Sequence, residues 1–588
     1  MPASGKGSVP PFGRRFFDGA DAFTRIGSGR LGGKAAGLDR VRREVLARFE
    51  ASEFPQVTVT VPTLTVLTTE LFDHFIDRNQ LYPAGLAETA DERIAHAFQQ
   101  ANLPAENIGD LRALISQVHR PLAVRSSSLL EDALAHPFAG VYGTKMIPNN
   151  QPDADTRFRR LIEAIKFVYA STFFRGAKSY VHSIGEDLRR EKMAVIIQEI
   201  IGTRHGDRFY PAVSGVARSH NYYPSGHARP EDGVINLALG LGKQIVDGGV
   251  SWGYSPAYPQ APPPFNGVQD LLKNTQTKFW AVNMGPPPPH DPIRETEYLV
   301  RAELAAAESD GALSCQVSTY DPRSDRMRLG LSAQGPRVID FAPLRSGDPL
   351  VLNDLLRRLL VLTEEALGTA VEIEFALEIG RRGQGPIRFG FLQARPMMVS
   401  GEETTVTPEE LVGDRVVLAS EQALGNGVRD GIRDIVFLKP DVFAAEATRE
   451  MVGELEGINH NLVAAANPYL LIGFGRWGSS DPWLGVPVEW GQINGARVVV
   501  EATLPDMNPD MSQGSHFFHN LISFHVFYLA VRHQGEFRID WDWINSQPTV
   551  CESRFVKHVR ATRPLTIRVD GRGGRGVITR GQATDTDS

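Results

Sequence analysis

The sequence predicts an α/β chain of several domains, and three observations carry that expectation. Runs rich in Val, Ile and Thr, such as 57–67 and 193–201, alternate with segments of helical period, such as 34–49 and 348–367. The hydrophobic share of 42% and charged share of 22% are ordinary globular usage, which excludes a wholly disordered, collagen-like or coiled-coil chain. At 588 residues there is material for roughly four domains of about 150 residues, each able to bury a core.

In chain order, residues 1–14 read as a loose arm rich in Gly, Pro and Ser. Phe17–Thr24 is polar and broken by Gly19, so no strand is expected there. From Lys34 a helix follows, with Leu38, Val41, Val45 and Phe49 near one face and Arg42 and Arg43 turned outward. Residues 57–67 form one strand, and 87–117 read as helices broken at Pro104. A short strand at 121–126 runs into a turn, 158–182 is helical, and 193–201 and 212–219 are strands. Pro- and Gly-rich loops follow at 224–233, 255–267 and 286–292, the last with four consecutive prolines from Pro286 that favour a stiff extended segment. A helix at 348–367 precedes strands at 370–379 and 387–393. The domain reading is therefore 15–400, then a smaller mixed α/β unit at 401–563, then a polar tail at 564–588 expected to be disordered. Within the smaller unit, 517–531 is read as an apolar helix, and no internal repeat is visible.

Lys+Arg 62 against Asp+Glu 69 gives a net charge of −7, which does not suggest a nucleic-acid partner. Two isolated cysteines, Cys315 and Cys551, argue against a disulfide framework or a cysteine zinc site and fit a cytoplasmic, reducing compartment. The first residues lack the apolar core of a signal peptide, and no stretch approaches the ~20 apolar residues of a membrane span. No membrane partner is expected, and nothing in the sequence sets the oligomeric state.

Three motifs carry chemistry. The first is Gly27-Ser28-Gly29-Arg30-Leu31-Gly32-Gly33-Lys34, a glycine-rich turn ending in a lysine at a helix start. Backbone N–H groups, a point charge and a helix N-terminus together suit an anion, although a plain helix-capping turn would look the same. A dinucleotide fingerprint would need a preceding strand, and a Walker loop would need Gly at Ser28 and Ser or Thr at Ala35. The second is Val124-Arg125-Ser126-Ser127-Ser128, where a guanidinium fork and hydroxyls could face phosphate, or simply solvent. The third is Glu372-Ile373-Glu374 followed by Gln393-Ala394-Arg395-Pro396. Residues two apart on a strand share a face, so Glu372 and Glu374 project together as hard oxygen ligands suited to Mg²⁺, or as a solvated strand edge.

Taken in order with Phe138-Ala139-Gly140, 193–198 and Gly240-Leu241-Gly242, these stretches resemble the N-terminal nucleotide-binding domain of phosphoenolpyruvate synthase and pyruvate phosphate dikinase. The resemblance implies an ATP-grasp-like fold whose two lobes clamp ATP. It implies that Lys34 and Arg125 hold the phosphates with help from Thr144, and that Gln198, Glu199 and Ile201 line the adenine pocket. Glu372 and Glu374 would bind Mg²⁺, and Gln393 and Arg395 would complete the phosphate end. Lys243 stands where the family usually has glutamate after Gly-Leu-Gly, and Glu372 where it often has aspartate. Full family members continue into a swivelling phosphohistidine domain and a TIM barrel of about 250 residues. About 190 residues follow Gly401, so this chain alone is not expected to interconvert pyruvate and phosphoenolpyruvate.

Two stretches stand out in the smaller unit. The loop 471–485 carries Arg476, Trp477 and Trp483 and could grip an anionic or planar substrate, or be a packed turn. Gly514-Ser515-His516 precedes the expected helix, and His519 follows one turn on. A histidine at a helix N-terminus can accept a phosphoryl group, but an N-cap serine with a structural histidine, or a metal pair, fits the same residues. The sequence-level expectation is an ATP- and Mg²⁺-dependent phosphotransferase, with catalytic Lys34, Arg125, Arg395 and His516, acting on His516 or an unidentified substrate. The alternatives are an ATP-grasp-like ligase working through an acyl phosphate and a non-catalytic nucleotide-binding module.

Overall fold

A computed structural model describes residues 9–13, 22–129, 131, 140–183, 186–222, 224, 227–261, 268–273, 275–331, 334–346, 352–380, 387–397, 404–479, 481–509, 521, 526–571 and 573–581. The chain divides into two compact units. The first comprises the chain to Ser219, Gly233–Ile245 and Val250–Met397; the second comprises His220–Asp232, Val246–Gly249 and the chain from Met398.

Two sheets dominate the first unit. One has the spatial order Phe23–Ile26, Leu64–Leu67, Met193–Glu199, Leu122–Ser128, Thr144–Ile147, with the first pair parallel and the others antiparallel. The other runs Trp252–Tyr254, Val234–Ala238, Val213–Arg218, Val371–Glu378, Ile387–Pro396, Val57–Thr60. The helix Ala154–Ser171 starts where the Asp153 carboxylate accepts the Thr156 N–H at 2.7 Å, and it buries Leu161, Ile165 and Val168. The helix Leu352–Leu367 buries Leu352, Leu355, Leu356 and Leu359, the spacing of one helical face, in the same core as Ile373, Phe375 and Leu377. Gly215 is glycine because the Phe375 ring lies across it: an added Cβ would sit 2.2 Å from that ring.

The second unit is built on one large sheet. Four neighbouring strands, Gly427–Leu438, Tyr469–Phe474, Ala496–Ala502 and Phe527–Val531, run parallel, and the helix Thr448–Ala464 connects the first two. On the other side of Gly427–Leu438 lie Val556–Asp570, Arg575–Arg580 and Val416–Ser420, all antiparallel. Ile435, Phe437, Leu470, Ile472, Val498, Leu529 and Val559 form its core. Among the described residues no helix is long and apolar enough to cross a membrane.

Several expectations are corrected. The single strand at 57–67 is two strands in different sheets, parted around Pro62, which has no N–H for a ladder. A strand, Phe23–Ile26, does precede the glycine-rich turn. The helix at 158–182 is two, Ala154–Ser171 and Arg175–Ser183. Phe527–Val531 belongs to a buried parallel strand and not to a helix; a short apolar run suits either period. The tail expected to be disordered from 564 is a hairpin: Leu565, Ile567 and Val569 alternate inward on Val556–Asp570, which pairs with Arg575–Arg580.

Candidate functional site

The glycine-rich turn is strapped to the chain that follows it. Ser28 gives its N–H and hydroxyl to Glu70 at 2.7 and 2.6 Å, Gly29 N–H goes to Thr68 Oγ1, and Arg30 N–H to Thr69 Oγ1. Those three backbone donors therefore serve the protein, not an anion. At Gly32, φ is +76° and an added Cβ would lie 1.7 Å from the Ser127 carbonyl oxygen, so glycine is required where the turn meets the serine triplet. Ser127 Oγ donates to the Leu31 carbonyl and accepts from Ala35 N–H, fixing the start of the helix Gly33–Arg40.

Lys34 on that helix reaches the buried Glu131 carboxylate at 2.7 Å and Ser126 Oγ at 3.1 Å. Glu131 also accepts from Ser126 Oγ and from Ser128 N–H at 2.8 Å. Beside it, burial and the Glu131 charge push the Glu191 carboxyl up to about 7.

Arg125 and Ser126 point to opposite faces of their strand, so Arg125 leaves the sheet on the other side from Lys34's anchor. Its guanidinium crosses to the second sheet, donating to the Leu392 carbonyl at 2.7 Å and to Glu374 and Gln393, each at 3.3 Å. Arg125 and Glu374 keep 13% side-chain exposure apiece. Thr144 lies directly opposite Arg125 on the edge strand. Gln198 pairs with Ala123, two residues from Arg125, which puts it on the same face. Its amide Nε2 is buried and has no hydrogen-bond partner among the described residues, which is uncommon in a native interior. On that face Ala123 and Met146 pack with Leu241, Val282 and Met284, an apolar wall beside the orphaned amide.

The second sheet divides the two glutamates. Glu374 opposes Gln393 and meets Arg125. Glu372 is 1% exposed, and both of its oxygens are engaged: Arg395 Nε and Nη2 take Oε1, and Arg218 Nε lies 2.6 Å from Oε2. The register Arg218–Glu372–Arg395 across three strands makes this an internal ion triad, so Glu372 does not present an open carboxylate and Arg395 is committed to it. Among the described residues no group of three His, Cys, Asp or Glu side chains could hold a metal ion. A Mg²⁺ sharing one carboxylate with substrate phosphates needs none, and Glu374 beside Arg125 fits that role.

Glu199 turns the other way from Gln198; burial raises its carboxyl, against the pull of Arg120 and Arg388. Ile201 is buried where an added Cβ on Gly390 would meet it at 2.7 Å, and so packs between the sheets. Lys243, the departure after Gly-Leu-Gly, pairs with Glu295 at 3.8 Å. In the second unit Arg476 donates to the Gly248 and Gly249 carbonyls, and Trp477 is buried with its backbone N–H on Glu501 and its indole N–H on the Val500 carbonyl. His516 and His519 lie outside the described residues.

A family model described as pyruvate phosphate dikinase, AMP/ATP-binding domain, matches residues 28–414, about two-thirds of the chain. The chain belongs to this family. The dikinase-type domain is ATP-grasp-like in fold, and its matched span contains Lys34, Arg125, Thr144, Gln198, Glu374, Gln393 and Arg395. The "Uncharacterized phosphotransferase YvkC" of Bacillus subtilis (strain 168) is 26% identical over 191 residues, 32% of this chain and 20% of that protein. The match therefore spans about a fifth of that relative's length. Two residues of the dikinase-type domain are not singled out by the sequence: Arg218, which ends an apolar strand as its one charge, and Glu131, whose carboxylate holds Lys34.

Proposed function

We propose that the first unit binds Mg-ATP against the face carrying Arg125 and Gln198, and that the protein is an ATP-dependent phosphotransferase. The observation that carries this reading is Arg125. A half-buried guanidinium that joins two sheets through Glu374 and Gln393 can exchange those contacts for phosphate oxygens. Mg²⁺, when bound, neutralises charge that develops on the transferring phosphoryl group. Glu374 would hold that ion once Arg125 turns to the nucleotide, and Lys34, anchored on the other side of the strand, would have to leave Glu131 and reach round the strand end to a phosphate oxygen. The orphaned Gln198 amide would donate to a purine ring nitrogen against the apolar wall of Ala123, Met146, Leu241 and Met284. Arg395 and Glu372 would act as positioning residues, setting the strand on which Glu374 and Gln393 stand. The acceptor is proposed from sequence alone: either His516, whose neutral imidazole attacks phosphorus as the P–O bond to the nucleotide breaks, or a separate substrate. Incubation with labelled ATP tests this. Wild-type protein should release ADP or AMP and melt higher with Mg-ATP, and Arg125→Ala should weaken binding about tenfold, about 1.4 kcal/mol. Acid-labile, alkali-stable label on the protein that is lost in His516→Ala identifies the histidine; label on a small molecule removes it as acceptor. Wild-type protein that neither binds nor turns over Mg-ATP ends the proposal.

A further inference from the structure

The second unit holds a constellation that the nucleotide site does not use. Cys551 is exposed, and on the ladder between Thr549–Glu552 and Val556–Asp570 it lies directly across from His558. The next strand over, Gly427–Leu438, carries Asp434. Three adjacent strands thus align a thiol, an imidazole and a carboxylate. Cys551 Sγ is 3.9 Å from His558 Nδ1, and His558 Nε2 is 2.8 Å from Asp434 Oδ1. His558 and Asp434 are 5% and 3% exposed, so water does not compete for the bond between them. A carboxylate only accepts, so Asp434 draws the imidazole proton to Nε2 and leaves the Nδ1 lone pair facing the thiol. That is the order nucleophile, base, orienting acid. Around it, Arg560 lies 3.9 Å from Asp434 Oδ2, and Glu552, next to Cys551, is held by Lys439 at 3.0 Å and Lys557 at 3.9 Å. Partial burial raises the Cys551 thiol above its ordinary value. The resting group is therefore a protonated thiol, and the geometry offers assistance by a base at the moment of attack.

We propose that Cys551 is a modification site, a thiol that His558 activates for exchange with a low-molecular-weight disulfide. Sγ bonds to one sulfur of the disulfide as the S–S bond breaks; the thiol proton passes to Nδ1 and then to the departing thiolate. Cys551 is oxidised to a mixed disulfide, the other half of the disulfide is reduced to a thiol, and no further oxidant is needed.

The test uses the full chain with oxidised glutathione and iodoacetamide as probes, and peptide mass spectrometry to read Cys551 separately from Cys315. Oxidised glutathione should add one glutathionyl group at Cys551, removable by dithiothreitol. Alkylation of Cys551 at pH 7 should slow about tenfold or more in His558→Gln. In the wild type its rate should already be rising with pH below the range in which an unassisted thiol ionises. Since His558 is buried and its variant can lose the fold, the wild-type pH profile stands as an independent reading. A wild-type rate that rises only with an ordinary thiol limb above about pH 8.5, or an unchanged rate in folded His558→Gln, overturns the proposal.

Discussion

Glu372 and Glu374 are the same residue type on the same strand face, yet their surroundings give them opposite consequences. Glu372 is sealed between Arg218 and Arg395. Replacing it with glutamine leaves two buried guanidinium groups uncompensated, a loss of about 3 kcal/mol or more. Glu374 keeps contact with solvent and faces one partly exposed arginine, so Glu374→Gln should leave stability nearly unchanged and remove Mg-ATP turnover. Denaturant melts of the two variants, paired with turnover, separate the roles. A stable Glu372→Gln would show that the triad is not structural, and full turnover in Glu374→Gln would take that carboxylate out of the metal site.

At the scale of elements, the hairpin Val556–Asp570 and Arg575–Arg580 closes the core of the second unit. Ile567 is fully buried there, so Ile567→Ala should cost about 2–5 kcal/mol, read as a lower denaturation midpoint of the second unit. Wild-type stability in that variant would mean that the hairpin contributes nothing to the core. The hairpin was illegible in the sequence for a physical reason. Its outward positions carry Arg568 and Arg580, whose partners Glu410 and Asp540 are distant in sequence, so a composition count registers charge and misses the alternation beneath it. The candidate site shows the same division. Glu374, Gln393 and Arg125 were legible because period-2 spacing and residue chemistry are local properties. The grip of Glu131 on Lys34 and the closure of Glu372 by Arg218 were not, since both depend on tertiary pairing across 97 and 154 residues of chain, the second being 372 minus 218. The strand break at Pro62 was visible as a residue; that its two halves enter different sheets is a matter of topology.

For the molecule as a whole, pH should act through buried carboxyls. Burial raises Glu191 to about 7, and raises Glu199 and Asp340 as well. A carboxyl raised in the folded state holds a proton that the unfolded chain has released. For Glu191 that stability is fully present below its ordinary value of 4.5 and is lost as pH climbs through about 7. The amount at stake for Glu191 is about 3 kcal/mol. The chain's net charge of −7 adds self-repulsion in the same direction as histidines lose their protons. Calorimetry should therefore find the transition of the first unit at higher temperature near pH 5.5 than near pH 8. Glu191→Gln carries no titrating proton and no charge facing Glu131, so its transition should lie a little above that of the wild type at pH 5.5 and further above it at pH 8. If the two curves stay parallel from pH 5.5 to 8, Glu191 does not carry the folded-state proton, and the acid flank of Lys34 consists of two carboxylates.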